Sequence, residues 1–241
     1  IIVTNIDADH LDYYKDIEDI KSAFQSFVDK LSEESFLVTH RDINLNTKAK
    51  KINADEINID KINLNVLGKH NKRNAQLVIS LLINLGFPED KIREGLLNFK
   101  GTWRRMEYKG EVNGIVMYDD YGHHPTEIQA TLEALREKYV DGKFKLIAVF
   151  QPHLYSRTKL LLNDFSESFY LADKILILPI YAAREKDDGS VSSYDLVEKT
   201  NNAIYVDNLE EVKKYINDNC KDKSVIVTIG AGDVYKLHNM F

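Results

Sequence analysis

Short apolar runs alternate with amphipathic segments over the second half of the chain. The runs are GIVMY (114–118), KLIAVF (145–150), KILILPI (174–180), AIYV (203–206) and SVIVTIG (224–230). Runs of this length predict buried strands. The segments near 125–139, 158–171, 194–201 and 209–219 carry apolar residues at helical spacing and predict helices. This order predicts a doubly wound, mostly parallel α/β sheet with helices on both faces.

The first hundred residues follow a less regular pattern. The runs IIVTNI (1–6) and SFLVT (35–39) predict strands, and helices are predicted over 17–31, 71–85 and 88–99. The Asn-, Lys- and Ile-rich segment 41–64 predicts one or two exposed strands. Because KGTWRRMEYKG (100–110) breaks the pattern, we predict a domain boundary near Gly101, with domains over 1–100 and 101–241.

Composition and charge narrow the range of functions that the chain can have. The formal net charge is −6 and charged residues make up 29% of the chain. Sequence-independent nucleic-acid binding needs a basic surface, so we expect no nucleic-acid partner. No apolar run reaches the length of a membrane span. The single cysteine, Cys220, is typical of a protein of the reducing cytoplasm. The chain begins within a predicted strand and without methionine, so we expect a fragment of a longer protein.

Polar motifs follow four of the predicted strands. DDYGHH follows GIVMY, QPHLYSR follows KLIAVF, YAAREKDD follows KILILPI, and GAGD follows VIVTI. The carboxyl ends of parallel strands share one edge of a sheet, where ligands of open α/β folds bind. The sequence therefore predicts a binding site at this edge.

The stretch DDYGHHPTEI (119–128) has two interpretations. Pro125 and Glu127 suit the first turn of a helix, which accounts for HPTE. A carboxylate at a strand end, such as Asp120, can accept two ribose hydroxyls, while nearby free N–H groups favour phosphate. The rival is a metal site of Asp119, Asp120, His123 and His124, which would make the protein a metal-dependent phosphoesterase. Adjacent histidines diverge unless the backbone turns sharply, which favours the nucleotide interpretation.

Three further motifs supply candidate ligands. In FQPHLYSRT, Arg157 can bind a carboxylate or phosphate and His153 can donate or titrate, although a solvated loop before a helix is an equal alternative. In NIDADHLDYY, oxygen ligands with His10 suit Mg²⁺ or Mn²⁺, against a plain acidic turn. In GKHNKRNA, His70 and Asn74 can face a purine edge, whereas Asn71 can be only a helix cap.

Taken together, the motifs resemble the Mur ligase family. NIDADHLDYY, LNVLGKHNKRNA, FKGTWRRME, DDYGHHPTEI, FQPHLYSRT and TIGAGDVYKL occur in that family's order and span nearly the whole chain. The resemblance implies an ATP- and Mg²⁺-dependent amide ligase of peptidoglycan synthesis, with UDP-N-acetylmuramate and L-alanine as substrates. ATP phosphorylates the sugar's carboxylate to an acyl phosphate, which the amino group of alanine attacks. A muropeptide-recycling ligase of the same family is the alternative.

The resemblance also implies roles for individual residues. His10 resembles a magnesium ligand. His70 and Asn74 resemble adenine contacts, with Asn71 beside them. The remaining assignments fall in the second half: Asp120 resembles the ribose contact, Arg105 lies toward the nucleotide, and His123, His153 and Arg157 resemble groups that face phosphates, acyl phosphate or the amino acid carboxylate.

The sequence departs from the family pattern in three places. No G-x-x-G-K-[ST] phosphate loop occurs in the chain, and in the family that loop precedes the segment beginning at Ile1. The segment between FLVT and LNVLGKHN is shorter than the family norm. Leu154 stands where the family usually has arginine, so that substrate contact is not carried over. We therefore expect part of an ATP-binding middle domain followed by a complete C-terminal domain, inactive by itself.

Overall fold

The structure is a computed structural model that describes residues 1–11, 13–140, 142–221 and 223–241. These residues form two compact units, Ile1–Lys100 and Gly101–Phe241. Among them, no helix combines the length and the apolar character that crossing a bilayer requires.

The first unit combines three helices with a small parallel sheet. Its elements are α1 (Ile17–Val28), β1 (Phe36–Thr39), β2 (Lys50–Asn53), α2 (Lys69–Asn84) and α3 (Glu89–Asn98). Asp16 begins α1 by accepting hydrogen bonds from the amides of Glu18 and Asp19. The strand predicted over 1–6 was wrong in extent, because only Ile2 forms a bridge, to Val38. Of the one or two strands predicted in segment 41–64, one forms, β2, and two 3₁₀ turns follow it.

The second unit alternates strands and helices. Its elements are β3 (Glu107–Val112), β4 (Ile115–Asp120), α4 (Pro125–Lys138), β5 (Lys145–Phe150), α5 (Tyr155–Leu160), α6 (Leu162–Ser168), β6 (Lys174–Ile177), α7 (Ser193–Lys199), β7 (Ala203–Tyr205), α8 (Leu209–Asn219), β8 (Ser224–Ile229) and a 3₁₀ helix, Val234–Met240. The helix predicted over 158–171 is two helices, because the chain leaves helical geometry at Leu161.

The six strands of the second unit form one sheet in the order β3-β4-β8-β5-β6-β7. All neighbours are parallel except β3 and β4, which pair as an antiparallel hairpin. Asn113 and Gly114 turn this hairpin at φ angles of +51° and +78°, the geometry that an Asn-Gly pair favours. The predicted α/β class with a mostly parallel sheet is confirmed, and the antiparallel edge strand was not predicted.

Helices cover both faces of this sheet. Ile147 and Val149 of β5 point to one face, where they pack with Val212 and Ile216 of α8. Phe150 points to the other face and packs on Phe165 of α6 at 5.5 Å between ring centroids. The alternation along β5 follows from the two-residue repeat of a strand. Burial on both faces explains why the strands read as continuous apolar runs.

Beyond the sheet, the chain after β8 passes very close to the chain after β5. Gly230 has a φ of +147°, and a Cβ added there would lie 2.6 Å from the carbonyl oxygen of Gln151. The Gly230 amide also donates to the carbonyl of Asp120 at 3.1 Å. Glycine is therefore required for the loop after β8 to lie between the ends of β4 and β5.

Gly230→Ala tests this close approach. We expect a loss of about 2–4 kcal/mol of unfolding free energy, from backbone strain and collision with Gln151. Gly189→Ala is the matched control: Gly189 also has a positive φ, +70°, but no atom lies within 4 Å of its added Cβ. It should lose only about 1 kcal/mol. Urea unfolding followed by fluorescence of Trp103, the sole tryptophan, measures both. Equal losses would contradict the close approach.

Candidate active site at the carboxyl edge of the sheet

A buried arginine organises the edge where β4 and β8 end. Arg104 is 2% exposed, and its Nε donates to Oδ2 of Asp119 at 2.8 Å. Its two terminal nitrogens donate to the carbonyls of Gly232 (2.9 Å) and Gly230 (2.5 Å). The guanidinium also lies over the ring of Tyr235, 4.6 Å from its centroid. A planar fork with several donors suits such a buried position.

Both carboxylate oxygens of Asp119 accept hydrogen bonds within this arrangement. Thr228 donates its hydroxyl to Oδ1 of Asp119 at 2.6 Å, and Arg104 occupies Oδ2. Asp119 and Thr228 are register partners on the adjacent strands β4 and β8, which explains the contact. Asp119 thus holds the sheet end together and is not oriented toward a ligand.

Asp120, the next residue, points the other way. Its Oδ1 accepts from the amide of Gly122 at 2.7 Å, and its Oδ2 accepts from the amide of Met106 at 2.8 Å. Burial raises the pKa of Asp120 to about 6, and these two backbone hydrogen bonds oppose the rise. A carboxyl whose folded pKa exceeds its unfolded value opposes folding once ionised, so stability falls as the pH rises from about 4 to about 6. A buried carboxyl that costs stability at neutral pH is a functional-site candidate.

His124 and Glu127 form the start of α4. Nδ1 of His124 accepts from the amide of Thr126 at 3.4 Å, while Oε2 of Glu127 accepts from the amides of His123 (2.8 Å) and His124 (3.2 Å). This reciprocal capping box, with Pro125 in the first turn, confirms the prediction that HPTE is a helix start.

His123, His153 and Arg157 come together from two chain segments: the one after β4, and the one after β5 that leads into α5. The rings of His123 and His153 lie 6.2 Å apart between centroids. Arg157 is buried, and its Nη1 lies 3.3 Å from Nδ1 of His153. Burial lowers the pKa of His153 to about 4, and electrostatic interactions, first with the Arg157 guanidinium and then with His123 and Arg184, act in the same direction. His153 is therefore neutral at pH 7, in a cationic cluster suited to an anion.

Two residues that the sequence reasoning missed shape this cluster. Tyr181 stacks on His153 with ring centroids 5.8 Å apart and an interplanar angle of 13°. Gln151 holds the loop after β8: its Nε2 donates to Asp233 at 3.0 Å, and its Oε1 accepts from the amide of Val234 at 3.1 Å. The motif YAAREKDD pointed to the region of Tyr181, but no sequence signal distinguished Gln151.

Arg105 lies at the exposed border of the same edge. Its side chain is 51% exposed and its Nη1 lies 3.5 Å from Glu127. The guanidinium lies 5.4 Å from the ring centroid of Tyr121, and its charge acts on Asp120. Asp120, Arg105 and Tyr121 therefore form a polar group beside the cationic cluster.

Leu154 adopts an uncommon backbone conformation. Its φ is +71°, and its side chain is buried. Its amide donates to the carbonyl of Tyr181 at 3.0 Å, and the Tyr181 amide donates to Pro152 at 2.8 Å. This short bridge beyond β5 and β6 holds the chain in a conformation that a non-glycine residue rarely adopts.

The candidates of the first unit lie in two places. His70 and Asn74 stand four residues apart in α2, hence on one face, and Asn74 is exposed. Asn71 is inside the helix, not its cap, and its Nδ2 donates to the carbonyl of Leu67 at 2.6 Å. His10 lies in a turn, with its side chain 63% exposed and its Nε2 3.7 Å from Asp9.

The proposed phosphoesterase site does not form. Asp119 and His124 are engaged in the sheet end and the helix cap, and Asp120 points away from Asp119. Over the described residues, no group of three or more His, Cys, Asp or Glu side chains is placed to hold a metal ion.

Comparison with known proteins shows the family. Residues 104–232 match the Mur ligase glutamate ligase domain, and residues 1–61 match the Mur ligase middle domain. The first match alone covers more than half of the chain. The chain belongs to the Mur ligase family.

A curated Mur ligase from Caldanaerobacter subterraneus subsp. tengcongensis, named UDP-N-acetylmuramate–L-alanine ligase, is 39% identical over 277 residues. The alignment covers 100% of this chain and 60% of the relative. The chain thus spans about 60% of the length of the curated relatives that it matches. These relatives give the phosphoesterase alternative no support.

Two solved Mur ligase structures share the fold. The UDP-N-acetylmuramate-alanine ligase of Thermotoga maritima has a TM-score of 0.75 and 25% identity, over 100% of this chain and 58% of that chain. The MurF ligase of Thermotoga maritima, crystallised in complex with ADP, has a TM-score of 0.76 and 16% identity, over 100% of this chain and 60% of that chain. At 16% identity the second likeness shows the fold alone.

Arg104→Met and Arg105→Met separate the structural arginine from the exposed one. Arg104→Met leaves Asp119 buried without its cation, so we expect a loss of about 3–5 kcal/mol of unfolding free energy. Arg105→Met should change it by less than about 0.5 kcal/mol, because that side chain is half exposed. Urea unfolding of both variants gives the comparison. A silent Arg104→Met would disprove its organising role.

Proposed function

We propose that this chain is the ATP-binding and amino-acid-binding part of an ATP-dependent amide ligase that joins L-alanine to UDP-N-acetylmuramate in peptidoglycan synthesis. The observation that carries the proposal is the meeting of His123, His153 and Arg157, from two separate motifs, at one edge of the sheet. The 39% identity over the whole chain to a protein of that name supports the substrate assignment. A cytoplasmic location is part of the proposal.

The nucleotide side of the site is assigned to Asp120 and Arg105. Asp120 is fixed by two backbone amides, and its remaining lone pairs can accept ribose hydroxyls. Arg105 is exposed and close enough for its charge to act on Asp120, which suits a contact to phosphate. In the first unit, His70 and Asn74 on one face of α2 are assigned to the adenine, with Asn71 supporting that turn.

The cationic cluster is assigned to the reacting groups. Arg157 would bind the carboxylate of the amino acid or the acyl phosphate, since its guanidinium can hold two oxygens at once. His153 stays neutral at pH 7 because its pKa is about 4, so its imidazole is free to accept a proton. His123 adds a second imidazole facing the same anion. Their joint effect is to stabilise charge that develops on the transferred group.

The described residues of the first unit would supply only part of the coordination of a magnesium ion. His10 is exposed in an oxygen-rich turn with Asp7 and Asp9, and the described residues provide no full metal cage. Mg²⁺ prefers oxygen ligands, usually keeps several waters and binds through one or two carboxylates plus substrate phosphates. The contact from the His10 imidazole is therefore proposed from the resemblance to the family and not from the geometry of this turn. When bound, the ion would supply positive charge to the phosphates.

Asp120→Asn tests the ribose assignment. The amide keeps one acceptor but loses the charge-assisted part, so we expect ATP affinity to fall by a factor equivalent to roughly 1–2 kcal/mol. Wild-type affinity should also weaken from pH 7 to pH 5, because Asp120 gains a proton near pH 6, whereas the variant should lose that dependence. Calorimetric titration of the full-length protein measures both. Unchanged binding in the variant would remove Asp120 from the site.

Arg157→Lys tests the cationic cluster. Lysine keeps the charge but loses the fork, so turnover in the full-length protein should fall far more than stability does. Steady-state rates with ATP, UDP-N-acetylmuramate and L-alanine, beside a thermal unfolding curve, give the two quantities. Wild-type kinetics would mean that Arg157 is only a packed side chain.

The chain as given should fold but not turn over ATP. Phosphoryl transfer needs backbone amides, a lysine and a metal around the β- and γ-phosphates, and this sequence contains no phosphate loop to supply them. Phosphate release with ATP, magnesium, UDP-N-acetylmuramate and L-alanine is the measurement. Robust release that depends on both other substrates would show that different residues hold the phosphates.

A further inference from the structure

The short helix that carries Arg157 lacks an N-cap of its own. α5 begins at Tyr155, and the residue before it, Leu154, makes no side-chain capping bond. Residues at the start of a helix have amides without an intrahelical acceptor, so a six-residue helix depends on an external one. Arg157 sits in the first turn, where the orientation of its side chain depends on that start.

Glu185, from the loop after β6, supplies the missing acceptors. One carboxylate oxygen accepts from the amide of Ser156 at 3.0 Å, and the other accepts from the hydroxyl of Ser156 at 2.5 Å. The loop itself is turned so that the Glu185 amide donates to the carbonyl of Ala182 at 2.9 Å. A carboxylate at the positive end of a helix is favourable, and here it is 29 residues away in sequence.

The same contact places the loop of a second arginine next to α5. Arg184 precedes Glu185, and its charge contributes to the cationic surroundings of His153. Anchoring Glu185 at the start of α5 therefore brings the loop of Arg184 to the helix of Arg157. Tyr181, at the beginning of this loop, is already tied to Leu154 and stacks on His153.

We propose that Glu185 is a positioning residue, which caps α5 from a separate loop and thereby holds Arg157 and Arg184 beside His153 for binding of the amino acid carboxylate. The carboxylate assignment rests on the proposed function. Glu185 touches no reacting group and acts through Ser156. Its removal should therefore weaken use of the amino acid and leave use of ATP unchanged.

Kinetics of the full-length protein provide the main test. Glu185→Ala should raise the KM for L-alanine by roughly tenfold or more, as expected for loss of charge-assisted hydrogen bonds, with less than about a twofold change in the KM for ATP. Glu185→Gln keeps one acceptor oxygen and should fall between Glu185→Ala and wild type. In an Arg157→Lys background, Glu185→Ala should add little, because both act through the same guanidinium.

Glu198→Gln in α7 is the matched control, since the Glu198 side chain is exposed and makes no hydrogen bond or ion pair within the described residues. It should match wild type. Equal increases in both KM values for Glu185→Ala, or full additivity with Arg157→Lys, would overturn the positioning role.

Hydrogen exchange separates this inference from the proposed function. In the chain as given, amide exchange in segment 155–160 should accelerate by roughly tenfold in Glu185→Ala and not in Glu198→Gln. Unchanged exchange overturns the capping contact whatever the kinetics show. Accelerated exchange in a full-length protein that does not ligate alanine would refute the substrate assignment alone and retain the cap.

Discussion

The edge of the second sheet depends on one buried guanidinium. Arg104 neutralises Asp119 and fixes the carbonyls of Gly230 and Gly232, so β4 and the loop after β8 are held by the same group. A buried charge is costly unless it is paired and hydrogen-bonded, and here the ion pair and two carbonyls meet that condition. Next to it at the end of β4, the Asp120 carboxylate is held by the amides of Met106 and Gly122.

From that fixed edge, function divides between two groups of side chains. Asp120 and Arg105 form a polar group suited to a nucleotide, and His123, His153 and Arg157 form a cationic group suited to an anion. Burial favours the neutral form of both Asp120 and His153, so it raises the pKa of the carboxyl and lowers the pKa of the imidazole. Asp120 therefore loses its negative charge at mildly acidic pH, whereas His153 remains an unprotonated imidazole at neutral pH.

Much of the second unit was predictable from sequence, for a physical reason. Strands buried on both faces give continuous apolar runs, and the amphipathic helices between them are equally clear. The hairpin strand β3 was missed because its sequence, EYKGEV, is half polar, although Asn113-Gly114 is a strong turn signal. The break at Leu161 was missed because apolar spacing continues through it.

The candidate site was predictable only in part. Motif positions at strand ends predicted Asp120, His123, His153 and Arg157 as candidates, but pattern alone could not separate Asp119 from Asp120. The two-residue repeat of a strand sends them to opposite faces, and only the pairing with Thr228 shows which one is structural. The roles of Arg104, Gln151 and Glu185 depend on partners 126, 83 and 29 residues away, which no local signal reveals.

The position of β8 also dictates an order of events during synthesis. β8 lies in the middle of the sheet, between β4 and β5, yet it follows all the other strands in the chain. As the polypeptide leaves the ribosome, β4 and β5 have no central partner until residues 224–229 emerge, and Arg104 has no carbonyl acceptors until Gly230 and Gly232 follow. Nascent chains therefore expose two unpaired strand edges until residues 224–229 have been synthesised, a state that favours aggregation and engagement by chaperones. Completion of the sheet and assembly of the site are consequently one late step.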